Sequence, residues 1–199
     1  MPNAVFIKSA ARPSDFPADT GREVAFVGRS NSGKSTAVNL VTGARKLARV
    51  SKTPGRTQLL NFFSLGEDLR LVDLPGYGFA RVAPDVQARW QASLEAYLRD
   101  RASLAGRFVT MDIRRGLTRL DEQLLRWLES RRALPVAVLL TKAAKLSRGA
   151  GLAQERKLAA ELGQDVRLTR FSALTGDGVA TAQQWVEEWL DPPRPIEKD

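Results

Sequence analysis

The run Gly28-Arg29-Ser30-Asn31-Ser32-Gly33-Lys34-Ser35 follows the apolar segment Val24–Val27 and leads into the helix-compatible stretch Ser35–Val41. Two glycines separated by four residues, with Lys-Ser behind them, match a loop whose backbone N–H groups turn inward around a phosphate. Glycine permits the close approach and the unusual backbone angles, and the helix N-terminus adds partial positive charge. Such a loop commits the chain to strand, loop and helix in succession. In that geometry Lys34 reaches the β- and γ-phosphates of a nucleotide and the Ser35 hydroxyl ligates Mg²⁺. The bland alternative is a glycine-rich turn with no ligand. The strand before the loop and the helix after it weigh against that.

Strand-like and helix-like segments alternate along the rest of the chain. Strands are expected at Glu23–Val27, Gln58–Leu65, Leu69–Asp73, Phe108–Ile113, Val136–Leu140 and Val166–Phe171. Gly66-Glu67-Asp68 is short enough to join the second and third as a hairpin, so one edge of the sheet should be antiparallel. Val86, Trp90, Leu94, Tyr97 and Leu98 recur at helical spacing behind Pro84. Thr118 and Asp121 resemble a capping box ahead of Leu120, Leu124 and Leu128. Ala182, Trp185, Val186, Trp189 and Leu190 form a stripe that reads as core, ended by Pro192-Pro193. These patterns predict an α/β fold: a mixed, mostly parallel six-stranded sheet with helices on both faces. Residues 1–22, with Pro2, Pro13 and Pro17, read as an N-terminal extension that leads into or packs on a domain spanning 23–191. Residues 192–199 read as a flexible tail.

The 199-residue chain has no cysteine and no histidine. Disulfides, thiolate nucleophiles, imidazole bases and Cys/His metal sites are therefore excluded. Any chemistry rests on carboxylates, hydroxyls, Lys, Arg, backbone amides or an oxygen-bound ion. No apolar run is long enough for a membrane span and no secretory leader is visible, which fits a cytoplasmic protein. The net charge of +9 suggests a polyanionic partner, most simply RNA.

Asp73-Leu74-Pro75-Gly76 closes the apolar strand Leu69–Val72. A carboxylate there can hold Mg²⁺ through water, and the Gly76 N–H can meet a γ-phosphate. Between this motif and the phosphate loop lies SKTPGRTQLLNFF, Ser51–Phe63, where Thr57 suits a second Mg²⁺ ligand or a simple turn hydroxyl.

GRSNSGKS, SKTPGRTQ, DLPGYGFA, LLTK and FSAL, in this order and spacing, resemble the EngB (YihA/YsxC) GTPases, ribosome-assembly factors of the Era-like class. The resemblance runs from about Phe6 to Leu190. It implies a Ras-like P-loop GTPase fold, GTP and GDP binding with Mg²⁺, slow hydrolysis, work on the large ribosomal subunit and its rRNA, and a role in cell division and septation. It implies phosphate contacts from Gly28, Arg29, Ser30, Asn31, Ser32, Gly33, Lys34 and Ser35, and metal contacts from Ser35, Thr57 and Asp73. Gly55, Arg56, Gln58 and Leu59 flank Thr57 in the first mobile loop, and Leu74, Pro75 and Gly76 form the second. Thr141, Lys142, Ala143 and Ala144, with Phe171, Ser172 and Ala173, would surround the base. The residues expected to act in hydrolysis are Lys34, Thr57, Gly76 and Asn31. The expectation is a monomer with no DNA specificity and no membrane association.

Three positions bear on mechanism. Tyr77 stands where Ras-like enzymes place a water-orienting Gln, so intrinsic turnover should be slow. Asn31 occupies a loop position that related GTPases use with K⁺; the alternative is an amide that braces the loop. Ala144 replaces the Asp of the family's T-K-x-D motif, whose carboxylate accepts hydrogen bonds from guanine N1–H and the 2-amino group. Its loss should weaken guanine discrimination. That opens a second reading, a nucleotide-weak ribosome-binding module. A third, a phosphate-loop ATPase or small-molecule kinase, lacks a lid or acceptor site in the sequence. Arg45, Lys46, Arg49, Lys52 and Arg56 beside the first mobile loop form a candidate RNA contact. Arg114, Arg115 and Arg119 read more simply as a solvated basic group.

Overall fold

A computed structural model describes residues 4–44, 47, 59–77, 84–131 and 134–191. Gly55, Arg56, Thr57, Gln58, the basic residues Arg45, Lys46, Arg49 and Lys52, and the tail 192–199 lie outside the described residues. In chain order the elements are β1 (Val5–Ala10), β2 (Arg22–Gly28), α1 (Lys34–Val41), β3 (Leu60–Gly66), β4 (Leu69–Asp73), α2 (Pro84–Asp100) and β5 (Leu104–Asp112). They continue with α3 (Arg119–Arg131), β6 (Val136–Thr141), α4 (Arg148–Leu162), β7 (Val166–Arg170) and α5 (Val179–Leu190).

The strands form one sheet in the order β1-β3-β4-β2-β5-β6-β7, seven strands rather than the six expected. The additional strand is β1, which lies antiparallel on β3 and pairs Val5 with Ser64 and Ala10 with Leu60. All of its residues but Ala10 are exposed, so it carries no inside-outside alternation to mark it as a strand. The β3–β4 hairpin is antiparallel as expected, and β4-β2-β5-β6-β7 run parallel.

Alternate strand residues point to opposite faces. Val24, Phe26, Phe108, Ala137 and Leu139 pack against Ala37, Val38 and Val41 of α1 and Val186, Trp189 and Leu190 of α5. Ala25, Val27, Val109, Val138 and Leu140 pack against α2, α3 and α4 through Leu94, Tyr97, Leu98, Leu125, Leu128 and Leu158. The tryptophan stripe of α5 is core, with the Trp189 ring 4.7 Å from Phe108. Thr118 caps α3 through the predicted box: its N–H donates to Asp121 Oδ2 at 3.1 Å and its hydroxyl accepts from Asp121 N–H. Leu120, expected on the buried face, is exposed.

Two elements exceed expectation. The central strand β5 begins at Leu104, and within it Gly106 lets Trp189 pack where a Cβ would stand 2.2 Å from the indole. Arg107 is buried inside it, donating to the carbonyls of Leu128 (3.0 Å) and Leu134 (2.7 Å). α4, capped by Ser147, was not expected at all, since its apolar residues form no stripe and it buries chiefly Gly151 and Leu158. No helix among the described residues is long and apolar enough to cross a membrane. The parallel strands all end on one side, where ligands bind in sheets of this kind.

Candidate nucleotide site

The phosphate loop leaves β2 at Gly28, where a Cβ would stand 2.0 Å from Thr110 Oγ1. Only glycine lets the loop pass this close to β5. Asn31 (φ 63°) and Gly33 (φ 91°) adopt left-handed backbone, and the Ser32 N–H donates to Arg29 O at 3.0 Å. Gly33 is the cap of α1, so the first helical residues are Lys34 and Ser35. Two hydroxyl groups brace the loop from below. Ser32 Oγ and Thr110 Oγ1 share a buried hydrogen bond of 2.6 Å. Thr141 donates to the Ser32 carbonyl and is also 3.0 Å from Met111 O. Thr141 is therefore buried under the loop and supports it, while Thr110 was not foreseen from sequence.

Asp73, the last residue of β4, forms an ion pair with Lys34 Nζ, and both side chains are nearly buried. The sequence separates them by 39 residues, and parallel pairing of β2 with β4, Phe26 opposite Asp73, brings them together. Leu74 and Pro75 are buried, and the Leu74 N–H donates to Phe26 O at 2.9 Å. Gly76 then lies against the phosphate loop: a Cβ on it would be 3.3 Å from both Ser30 Cα and Ser30 N. Tyr77 turns its hydroxyl onto Asp121 Oδ1 at 2.6 Å. Burial and the facing carboxylate push that phenol well above its ordinary pKa. The Arg29 side chain points the same way, to Thr118 Oγ1 at 3.3 Å.

On the far side, Lys142 (φ 58°) spans the pocket. Its Nζ donates to Asn31 O at 2.7 Å and to Asp112 Oδ2 at 2.8 Å. Asp112 closes β5 and takes a fork from Arg114, 2.9 and 2.7 Å, along with the Arg114 N–H. The Arg114 bonds, reinforced by Lys142, outweigh burial and hold this carboxyl well below the usual range. Asp112 was missed from sequence; its signal was an acid at the ligand-binding end of a central parallel strand. Ala143 is buried, its N–H on Phe171 O at 3.2 Å, and Ala144 is exposed. Phe171 and Ser172 are buried and Ala173 is exposed. Ser172 Oγ accepts the N–H groups of Leu174 and Thr175, both at 3.2 Å, which shapes the turn around Ala173. The Asn31 side chain is exposed and makes no hydrogen bond among the described residues. Leu59, the residue before β3, is exposed.

A family model described as "50S ribosome-binding GTPase" matches residues 23–142. A protein of Methylococcus capsulatus named "Probable GTP-binding protein EngB" is 46% identical over 193 residues, 95% of this chain and 91% of its own length. The chain belongs to the EngB family of GTPases. A second EngB, from Enterobacter sp., is 48% identical over 189 residues, 94% of this chain and 90% of that one. Among solved structures, one described as a probable GTP-binding protein engB superposes with a TM-score of 0.67 at 23% identity, over 84% of this chain and 98% of the other. That likeness establishes the Ras-like fold.

Proposed function

We propose that this EngB-family protein binds GTP and GDP with Mg²⁺, hydrolyses GTP slowly, and acts in the cytoplasm as a monomer on the large ribosomal subunit during its assembly, with cell division depending on it. The observation that carries the nucleotide reading is the convergence of Lys34, Asp73 and Gly76 on a left-handed, glycine-bounded loop at a helix N-terminus. The loop N–H groups and Lys34 hold the phosphates. Ser35 Oγ and Asp73 offer the hard oxygens that Mg²⁺ prefers, and Thr57 supplies a third. Ser35 and Asp73 would hold Mg²⁺ there, and it would supply positive charge that offsets the charge of the phosphates. Lys34 and Asp73 pair with each other, which places both at the mouth of the loop. Slow turnover follows because the Tyr77 hydroxyl is engaged by Asp121 and offers no amide to a water. Asn31 is the residue toward which K⁺ would act; equal turnover in KCl and NaCl at matched ionic strength removes that part.

Residues 23–191 form the working domain, with residues 4–22 built onto the sheet. The +9 charge and the family model's 50S-binding description support an rRNA partner, bound without DNA specificity.

Lys142, Phe171, Ser172 and Ala173 frame the base, and Ala144 contributes no acceptor to it. Asp112, the nearby carboxylate, is already taken by Arg114 and Lys142. Guanine is therefore held more weakly than in a protein with Asp at this position. This same feature favours the second reading, a nucleotide-weak ribosome-binding module. Calorimetry of GTP, GDP and ATP with Mg²⁺, beside Ala144→Asp, separates the two. The GTPase reading predicts measurable GTP binding that tightens by roughly 2–4 kcal/mol on restoring the acid. Absence of nucleotide binding in both forms, with ribosome co-sedimentation intact, establishes the module instead.

A further inference from the structure

Tyr77 is tied to the phosphate loop and to α3 at once. Its N–H donates to Gly28 O at 3.2 Å and its carbonyl accepts from Ser30 N at 3.0 Å, a short parallel bridge beside Arg29. Its hydroxyl donates to Asp121 Oδ1 at 2.6 Å. The other oxygen of Asp121, which is buried, takes the Thr118 hydroxyl at 2.5 Å and the Thr118 N–H at 3.1 Å. Thr118 Oγ1 in turn receives Arg29 Nη1 at 3.3 Å. A closed ring thus joins Arg29 of the loop, Tyr77 after β4, and the first turn of α3. Helix capping needs only the Thr118–Asp121 half of it. The Tyr77 half is left without a structural duty of that kind, and it sits one residue beyond the glycine that abuts Ser30.

We infer that Tyr77 and Asp121 are positioning residues: their hydrogen bond pins the segment after Asp73 onto the phosphate loop and holds Gly76 where a third phosphate meets it. The pair then contributes to telling a nucleoside triphosphate from a diphosphate. The backbone bridge alone fixes Tyr77 along the loop, and the hydroxyl fixes its roll about that axis. The raised phenol pKa keeps the hydroxyl a donor throughout the physiological range. This inference rests on the reading of residues 28–35 as a phosphate loop.

The test is calorimetry of Mg²⁺ with guanosine 5′-(β,γ-imido)triphosphate and with GDP, on the unaltered protein, Tyr77→Phe, Asp121→Ala and the double variant. Tyr77→Phe removes one oxygen and keeps the ring packed. The expected result is a roughly tenfold loss of triphosphate-analogue affinity with GDP affinity within about twofold. Asp121→Ala should give the same ratio, and the double variant should be no worse than either single change, because both break one link. Tyr77→Phe alone decides the matter if Asp121→Ala, which also uncaps α3, fails to fold. Equal losses for both nucleotides, or no loss for either, overturn the inference and leave the ring a structural brace. Failure of the unaltered protein to bind either nucleotide overturns the phosphate-loop reading and this inference with it.

Discussion

At the start of β2, Glu23 is sealed from solvent beneath two guanidinium groups; a few residues on, where β2 ends, Lys34 and Asp73 meet at the mouth of a loop. Glu23 Oε1 accepts from Arg70 Nε at 2.7 Å and Arg101 Nη2 at 2.6 Å, while Oε2 accepts from Arg101 Nε at 3.0 Å and the Tyr97 hydroxyl at 2.9 Å. Arg101 also donates to the carbonyls of Pro17 and Ala18, at 2.8 and 3.1 Å, and Arg70 Nη2 to those of Ala18 and Thr20. Asp19 adds the second negative charge, 3.4 Å from Arg101 Nε. Both oxygens of Glu23 are taken, and two carboxylates face two guanidiniums, so the charges balance within the cluster. The opposite end is paired in a provisional way. Lys34 and Asp73 satisfy each other, yet each is the residue type that a phosphate or a hard cation would claim. One strand therefore carries a closed electrostatic lock at its beginning and an exchangeable pair at its end.

Breaking the lock should produce the largest change in stability. Glu23→Ala strands two buried guanidiniums and releases residues 17–20, and should cost about 3–5 kcal/mol in urea unfolding. A loss below about 1 kcal/mol would show that water reaches this cluster and that it is no lock. Lys34→Ala sharpens the contrast from the other side. It should lower GTP affinity by roughly thirtyfold to a thousandfold. It should also cut the rise in melting temperature that Mg²⁺ with GTP gives the unaltered protein, from the equivalent of about 2.7 kcal/mol at a hundredfold excess over Kd to below about 1 kcal/mol. Unchanged nucleotide-dependent stabilisation would place the phosphates elsewhere.

The smallest effect concerns Asp112, whose folded pKa is depressed mainly by Arg114. A depressed carboxylate contributes stability above its unfolded pKa, near 3.9. That contribution fades as pH falls below about 4 toward the lowered folded value. Asp112→Asn should therefore flatten the acid side of the stability profile and leave the region from pH 6 to 8 unchanged in slope. A changed slope at neutral pH would contradict the assignment.

The two ends also differ in how far the sequence reveals them. The phosphate loop was legible because its chemistry is local: glycines, Lys34 and Ser35 sit within one turn and no distant residue is needed to recognise them. Asp73 and Gly76 were legible as the end of an apolar strand. The lock was not. Glu23 reads as an ordinary polar start to a strand, and only sheet order brings Arg70 and Arg101 to it. The same holds for Thr110 and Asp112, which gain their roles from β5 lying beside β2 and β6. Gly106 and Arg107 hid the first half of β5, since a glycine and an arginine interrupt the apolar run. β1 escaped notice because it exposes both faces and owes its existence to pairing with β3. Tyr97, by contrast, was placed correctly on a helical stripe; its hydroxyl reaching Glu23 is what periodicity could not show.

Hydrogen–deuterium exchange with and without Mg²⁺ and GTP tests this contrast most directly, because it reads both ends of β2 in one experiment. The account predicts slower exchange at the amides of residues 29–35, 74–77 and 172–174 when nucleotide is bound, and no change at residues 22–25 and 69–71. Uniform slowing across both ends, or none at the loop, would contradict the claim that the closed end is structural and the open end holds the nucleotide.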